Sequence, residues 1–213
     1  MKNKSDIQTM LKEAGILFAI TLIAGLLLGL VFEVTKEPRR LQQERAIQEA
    51  CVAVFPQAKE QNLELEFTAA DYVPDEAMRA ELAENYVEIG TVFEAYHNGS
   101  FYGYVVESTS SKGYGGDIVL YVGVAADGTV TGVSIIDISE TAGLGMEAPN
   151  VLTPQFEGKK YESFVFTKTG AKENTNEVDA ISSATITTSA VTNAVNGGLK
   201  IALELLGGGA VNE

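Results

Sequence analysis

The chain of 213 residues contains one cysteine, one histidine and no tryptophan. A single cysteine excludes a disulfide within the chain, and Cys51 and His97 cannot form a Cys/His metal cluster. We therefore expect any demanding chemistry to come from a bound cofactor. Cys51 is expected to be a small buried hydrophobe, and His97 is expected beside a hairpin turn.

Positive charge is also scarce, with 15 Lys and Arg against 29 Asp and Glu, for a formal net charge of −14. Nucleic-acid binding depends on clustered basic side chains, so we do not expect DNA or RNA as a partner. The hydrophobic fraction of 46% is sufficient for a core. The length suits one domain of ordinary size with an appendage.

The appendage is an apolar run. Residues 14–32 contain no charged side chain and are long enough to cross a hydrocarbon layer of about 30 Å. They are predicted to form a transmembrane helix after an N-terminal tail, residues 1–13. A cleaved signal peptide is the alternative, but the run is longer than the usual apolar region, and no small-x-small cleavage site follows it before Glu33. Gly25 and Gly29 form a GxxxG pattern, which favours close packing against partner helices.

The distribution of charge does not indicate on which side of the membrane the bulk of the chain lies. Three basic residues flank each end of the run, so the positive-inside rule gives nearly a tie; they are Lys2, Lys4 and Lys12 before it, and Lys36, Arg39 and Arg40 after it. Residues 33–56 have apolar side chains at helical spacing, which predicts a juxtamembrane helix. Its first arginines could contact lipid headgroups.

Residues 57–213 are predicted to form an α+β domain. Residues 74–85 carry helix signals. Asn98-Gly99 and Asp127-Gly128 each join two strand-like runs, which predicts two hairpins and at least four antiparallel strands. A further strand is expected around residues 163–166, and a C-terminal helix over about 188–206.

Two glycine-rich loops, residues 111–118 and 140–148, follow predicted strands. They lack the GxxxxGK[ST] phosphate loop and the dinucleotide fingerprint. Glycine allows the backbone to approach a ligand, and Tyr114 and Leu144 could contact a flat ring.

Residues 182–189 have six hydroxyl side chains in eight positions, immediately before the C-terminal helix. One or two would satisfy the free amides of a helix start. A helix N-terminus flanked by hydroxyls, Thr187 among them, also suits a phosphate group. The residues alone leave three interpretations open. The segment could bind the phosphate of a larger ligand, bind a free anion reversibly, or only cap the helix. A serine hydrolase is disfavoured, since no GxSxG elbow is present.

The segment DAISSAT, residues 179–185, resembles the D-x-x-[S/T]-[G/S]-A-T flavinylation motif of the FMN-binding domain family. The resemblance implies that Thr185 carries FMN through a phosphoester bond, installed by a separate flavin transferase that uses FAD. Asp179 would serve recognition or orient the acceptor hydroxyl. Ser182, Ser183 and Ala184 complete the motif, with Ser183 at the position where glycine is commoner.

The segment ETAGLG, residues 140–145, is similar to that family's E-T-P-G-L-G loop, with Ala142 in place of proline. The resemblance implies flavin contacts for four of its residues, namely Glu140, Thr141, Leu144 and Gly145. The loop around Tyr114 also resembles a glycine-rich loop of the family. Lys168 lies where the family often has a basic residue whose charge could offset the phosphate.

The order of anchor, juxtamembrane helix, two loops and motif resembles the G subunits of Rnf-type electron-transport complexes over nearly the whole chain. The C subunits of sodium-pumping NADH:quinone oxidoreductases share the motif and the anchor and are the alternative. The resemblance implies a flavoprotein that relays electrons among membrane partners, with its flavin domain outside the cytoplasmic membrane. The alternative from a different functional class is a membrane-anchored binding module without enzymatic activity.

Overall fold

The computed structural model describes the backbone of residues 4–208 and the side chains of residues 10, 12–36 and 45–207. It divides into two compact units between Ile47 and Gln48. In the first unit, the segment Lys12–Lys36 is helical and, by length and composition, apolar enough to cross a membrane. The predicted apolar helix is therefore confirmed.

The first helix, α1, is longer than the sequence suggests. It runs without interruption from Lys4 to Ala53, whereas the sequence predicts a tail, a transmembrane helix and a separate juxtamembrane helix. Pro38 lies within it. Good helix formers are frequent on both sides of Pro38, so the helix continues although proline lacks one hydrogen-bond donor.

The second unit is built on a five-stranded antiparallel sheet in which each strand pairs with the next along the chain. The strands are β1 (Glu66–Ala69), β2 (Val87–His97), β3 (Ser100–Ser110), β4 (Ile118–Ala125) and β5 (Val130–Asp137). Both predicted hairpins are confirmed. Asn98 and Gly99 have φ of 48° and 75°, which fits the two-residue turn that Asn-Gly favours. Strand β1 has no sequence signal that we identified.

Shorter elements complete the unit. They are α2 (Pro56–Glu60), α3 (Glu76–Glu84), α4 (Ala148–Val151) between two 3-10 turns, the parallel pair β6 (Val165–Thr167) and β7 (Glu177–Asp179), and the long helix α5 (Thr185–Gly208). Helix α3 lies where it is predicted, and the carboxylate of Asp75 caps it by accepting from the amide of Met78 at 2.7 Å. Helix α5 begins three residues earlier than predicted, at Thr185 itself.

Helices cover both faces of the sheet. On one face α5 packs across β3, where the Ser108 hydroxyl donates to the Ala194 carbonyl at 2.8 Å. On the other face lies the end of α1 with the turn that follows it. There the Thr131 hydroxyl donates to the Val54 carbonyl at 2.6 Å, and the Phe55 ring contacts Phe67 and Tyr102. Two helical layers thus enclose the sheet.

The end of α1 belongs to the core of the second unit. Its buried residues are Ala50, Cys51, Val54 and Phe55, followed by Ala58 in α2. The sequence-based boundary at residue 57 therefore differs from the division by contacts, which lies before residue 48. Burial, together with the charge of Glu107, raises the pKa of the Cys51 thiol to about 12, which fits the expected buried hydrophobe.

The close approach of α1 to the sheet predicts a stability effect. A Cβ atom on Gly123 would lie 2.6 Å from both the Val54 carbonyl oxygen and the Thr131 hydroxyl. We expect Gly123→Ala to lower the free energy of unfolding by about 1 to 3 kcal/mol, because the backbone must shift. Chemical denaturation followed by tyrosine fluorescence tests this, since all eight tyrosines lie in the second unit.

Gly207→Ala is the matched control. A Cβ atom on Gly207 meets no atom of the described residues within 4 Å, and alanine favours a helix, so no loss of stability is expected. Equal stability of Gly123→Ala and the parent chain would contradict the tight packing of α1 on the sheet.

Candidate functional site

A groove of about 500 Å³ lies where the start of α5 meets the two glycine-rich loops. The sequence analysis predicts nine of its ten lining residues: Tyr114, Glu140, Thr141, Leu144, Gly145, Ser183, Ala184, Thr185 and Thr187. Ile186 is the tenth. The structure therefore brings three separate segments of the chain together at one site, although their roles toward a ligand stay predictions.

The chain enters α5 through a tight turn. The Ala184 amide donates to the Ile181 carbonyl at 3.0 Å, and Ser183 adopts a φ of 60°. This left-handed conformation is strained for a residue with a side chain and costs glycine little. It gives a physical reason for the glycine that the flavinylation motif more often has at this position.

Thr188 joins α5 to the turn that precedes it. Its hydroxyl accepts from the Ile181 amide at 3.1 Å and donates to the Ala184 carbonyl at 2.9 Å, and the residue is fully buried. The hydroxyl of Thr187 is used differently, because it donates to Glu140 at 3.1 Å. Two of the six hydroxyl residues thus have structural partners.

Thr185 is left available. It is half-buried in the groove, and its hydroxyl makes no hydrogen bond to any residue that the structure describes. The amides of Thr185, Ile186 and Thr187 likewise donate to no acceptor among the described residues. A free hydroxyl and three free amides at a helix start form a donor set that suits phosphate oxygens.

The Glu140 carboxylate joins the three segments. One oxygen accepts from the amides of Tyr114 and Gly115 at 2.7 and 3.4 Å, and the other accepts from the Thr187 hydroxyl. Gly145 permits this arrangement, since a Cβ atom there would lie 2.6 Å from the Thr187 hydroxyl oxygen and 2.7 Å from Glu140 Cβ. The loops and the helix are therefore held together through one side chain.

Three predicted residues lie outside the groove lining. Asp179 ends β7, and its carboxylate accepts from the Ala171 amide at 2.5 Å, while Gln155 bonds both backbone groups of Asp179. Ser182 is exposed in the turn before α5, and Lys168 is exposed after β6. The structure thus brings neither the motif's leading carboxylate nor the predicted basic residue to the groove.

The sequence analysis missed the apolar side of the groove at Ile186. This side chain is 52% exposed although isoleucine is usually buried, and the Tyr114 ring is 71% exposed. The sequence does contain a signal for this apolar surface. An apolar residue directly follows the predicted attachment threonine, in a first helical turn that otherwise carries hydroxyls.

The strained turn before α5 predicts a stabilising substitution. Glycine at position 183 removes the cost of the left-handed conformation but adds entropy to the unfolded chain, so we expect Ser183→Gly to raise the free energy of unfolding by about 0.5 to 1 kcal/mol. Ser182→Gly is the neighbouring control, because Ser182 does not have a positive φ, and it should bring no gain. Denaturation of the unloaded chain measures both; equal effects would show that φ at residue 183 is not the cause.

Comparison with known proteins points to the same segments of the chain. Residues 113–200, which include the motif, the second loop and residues 113–118 of the first, match the FMN-binding domain family. The structure is similar to the crystal structure of the C subunit of Na⁺-translocating NADH-quinone reductase from Parabacteroides distasonis, with a TM-score of 0.54 and 22% identity, covering 78% of this chain and 94% of that one. This likeness shows a shared fold.

Two relatives match over nearly their whole length. The chain is 34% identical to the G subunit of the Na⁺-translocating ferredoxin:NAD⁺ oxidoreductase complex of Acetobacterium woodii, over 94% of this chain and 95% of that protein. It is 31% identical to the G subunit of the ion-translocating oxidoreductase complex of Methanosarcina acetivorans, over 90% of this chain and 94% of that protein. The chain therefore belongs to the family of G subunits of ion-translocating oxidoreductase (Rnf) complexes.

Proposed function

We propose that the chain is the membrane-anchored flavoprotein subunit of an ion-translocating ferredoxin:NAD oxidoreductase complex, and that it carries FMN on Thr185 as a phosphoester. The relatives among the G subunits and the FMN-binding domain match support the coarser assignment. The observation that carries the attachment site is the Thr185 hydroxyl, which faces a groove beside three free amides and has no partner among the described residues.

The residues of the groove fit the group. The amides of the first turn of α5 would bind the phosphate, while Tyr114, Leu144 and Ile186 offer apolar surface to a ring system. Bound FMN would accept and donate one or two electrons. The chain's own residues hold and orient it, and we assign none of them as an acid or base in turnover.

Covalent attachment also fits the electrostatics. None of the ten residues that line the groove is a lysine or an arginine, and one is the acidic Glu140. A free phosphate monoester carries nearly two negative charges at neutral pH, so helix amides alone would hold it weakly beside a carboxylate. A covalent bond keeps the flavin in place regardless of this repulsion. The same observation disfavours a reversible anion site.

A purely structural role for the hydroxyl cluster is disfavoured by Thr185 itself. The amides of the first turn of α5 donate to no acceptor among the described residues, so the Thr185 hydroxyl does not serve as a helix cap. For maturation we propose a flavin transferase that uses FAD: the Thr185 oxygen forms the new bond to phosphorus, the pyrophosphate bond of FAD breaks, and AMP leaves with the proton.

The composition of the anchor suggests that ion transport belongs to partner subunits. Residues 14–32 contain no ionisable side chain, so we assign the ion path to other membrane subunits of the complex. From the family resemblance we place the flavin domain on the extracytoplasmic side of the cell membrane, with the helix in contact with lipid. Free FMN would be lost by dilution on that side, which gives a reason for a covalent tether.

The test is expression in a host that has a flavin transferase, followed by a denaturing gel under ultraviolet light and intact-mass measurement. We expect a fluorescent band and a mass increase of one FMN less one water. Thr185→Ala should lose both, because the attacking oxygen is gone.

Ser189→Ala is the matched control, since it removes another hydroxyl from the first turns of α5 at a residue that does not line the groove. It should retain the mass increase. A dark band at unmodified mass, with the transferase active on another substrate, would contradict covalent attachment. Fluorescence retained in Thr185→Ala would place the bond on a different residue.

A further inference from the structure

The position of Glu140 suggests a role that differs from direct contact with the flavin. Three hydrogen bonds already engage its two carboxylate oxygens. We infer that Glu140 is a positioning residue, which fixes the Tyr114 loop against the start of α5 and whose negative charge lowers the reduction potential of the bound flavin. The electrostatic part of this inference rests on the proposed function.

The positioning role follows from what the carboxylate joins. The loop that carries Tyr114 connects β3 to β4, whereas Thr187 lies in α5, 73 residues further along the chain from Tyr114. Glu140 accepts from both segments, and its own loop leaves β5. Tyr114 and Thr185 line the same groove, so the spacing between a ring-contacting residue and the attachment point depends on this side chain.

The packing around Glu140 leaves it little freedom. A Cβ atom on Gly113 would approach the Glu140 carboxylate to 2.9 Å, and one on Gly145 would approach Glu140 Cβ to 2.7 Å. A glycine of the Tyr114 loop and a glycine of Glu140's own loop therefore make room for the side chain. Such an arrangement is expected of a side chain with a fixed position rather than of one that moves to meet a ligand.

The electrostatic role follows from the composition of the groove. Glu140 is the only charged residue among the ten that line it. Adding electrons to a flavin makes the flavin more negative, and a nearby carboxylate that is not neutralised disfavours this change. Its charge should therefore lower the midpoint potential of the bound flavin.

Two substitutions separate geometry from charge. Glu140→Gln keeps an oxygen that can accept from the Tyr114 amide and an NH₂ group that can donate to the Thr187 hydroxyl, but it removes the charge. Glu140→Ala removes both. Hydrogen exchange of the unloaded chain, made in a host without the transferase, should show the Tyr114 amide exchanging about tenfold faster in Glu140→Ala. Exchange in Glu140→Gln should stay close to that of the parent chain.

The loaded chains test the charge. Spectroelectrochemical titration of the flavin-carrying fraction should give a higher midpoint potential for Glu140→Gln than for the parent chain. Glu147→Gln is the control, because Glu147 is a nearby carboxylate outside the groove lining, and its shift should be smaller. A residue with a merely structural role would leave the potential of the Gln variant unchanged.

Each outcome decides part of the inference. Unaltered exchange at Tyr114 in Glu140→Ala would overturn the positioning role, and equal potentials for Glu140→Gln and the parent chain would overturn the electrostatic role. If the parent chain itself acquires no flavin from an active transferase, the proposed function fails, while the exchange measurement still decides the positioning role.

Discussion

The site depends on how closely α5 packs on the sheet. A Cβ atom on Gly198 would lie 2.9 Å from Val122 Cγ2, and one on Gly197 would lie 2.6 Å from Val87 Cγ1. These contacts leave space only for glycine, so the helix is held at one depth and one rotation against the strands. The hydrogen bond from Ser108 to the Ala194 carbonyl fixes its position further. Because α5 is fixed, its first turn meets the loops after β3 and β5.

At that junction, neighbouring hydroxyls have different roles because helix geometry points them in different directions. Thr188 turns inward and bonds the turn before the helix, and the Thr187 hydroxyl donates to the Glu140 carboxylate. Thr185 lines the groove without a partner among the described residues. Within four residues, the threonines of this helix start therefore hold the preceding turn, join a loop and leave one hydroxyl without a described partner. Thr187 and Thr188 thus have structural roles other than capping the helix.

Local signals explain what the sequence could predict. The Asn98-Gly99 turn, the Asp75 cap and the uncharged run over residues 14–32 act through neighbouring residues, and the structure contains all three features. Most of the groove lining was predicted differently, from the resemblance of the motif and of one loop to those of the FMN-binding domain family. The close packing of Val54 on the sheet was not predictable from the helical spacing, because it depends on glycines more than 60 residues away. The engagement of Asp179 by Ala171 and Gln155 is likewise a tertiary effect.

The charge of the groove connects the proposed attachment with the proposed redox role. A phosphate monoester brings nearly two negative charges, whereas a phosphodiester with Thr185 brings only one. The proposed attachment would therefore reduce repulsion by Glu140 and make binding independent of dilution. None of the ten described lining residues is a lysine or an arginine that could cancel the remaining charge. In this proposal, the carboxylate that joins the loops would also make reversible binding weak and reduction of the flavin less favourable. Such a carrier would keep its cofactor through a bond and use the electrostatics of the site to set its potential.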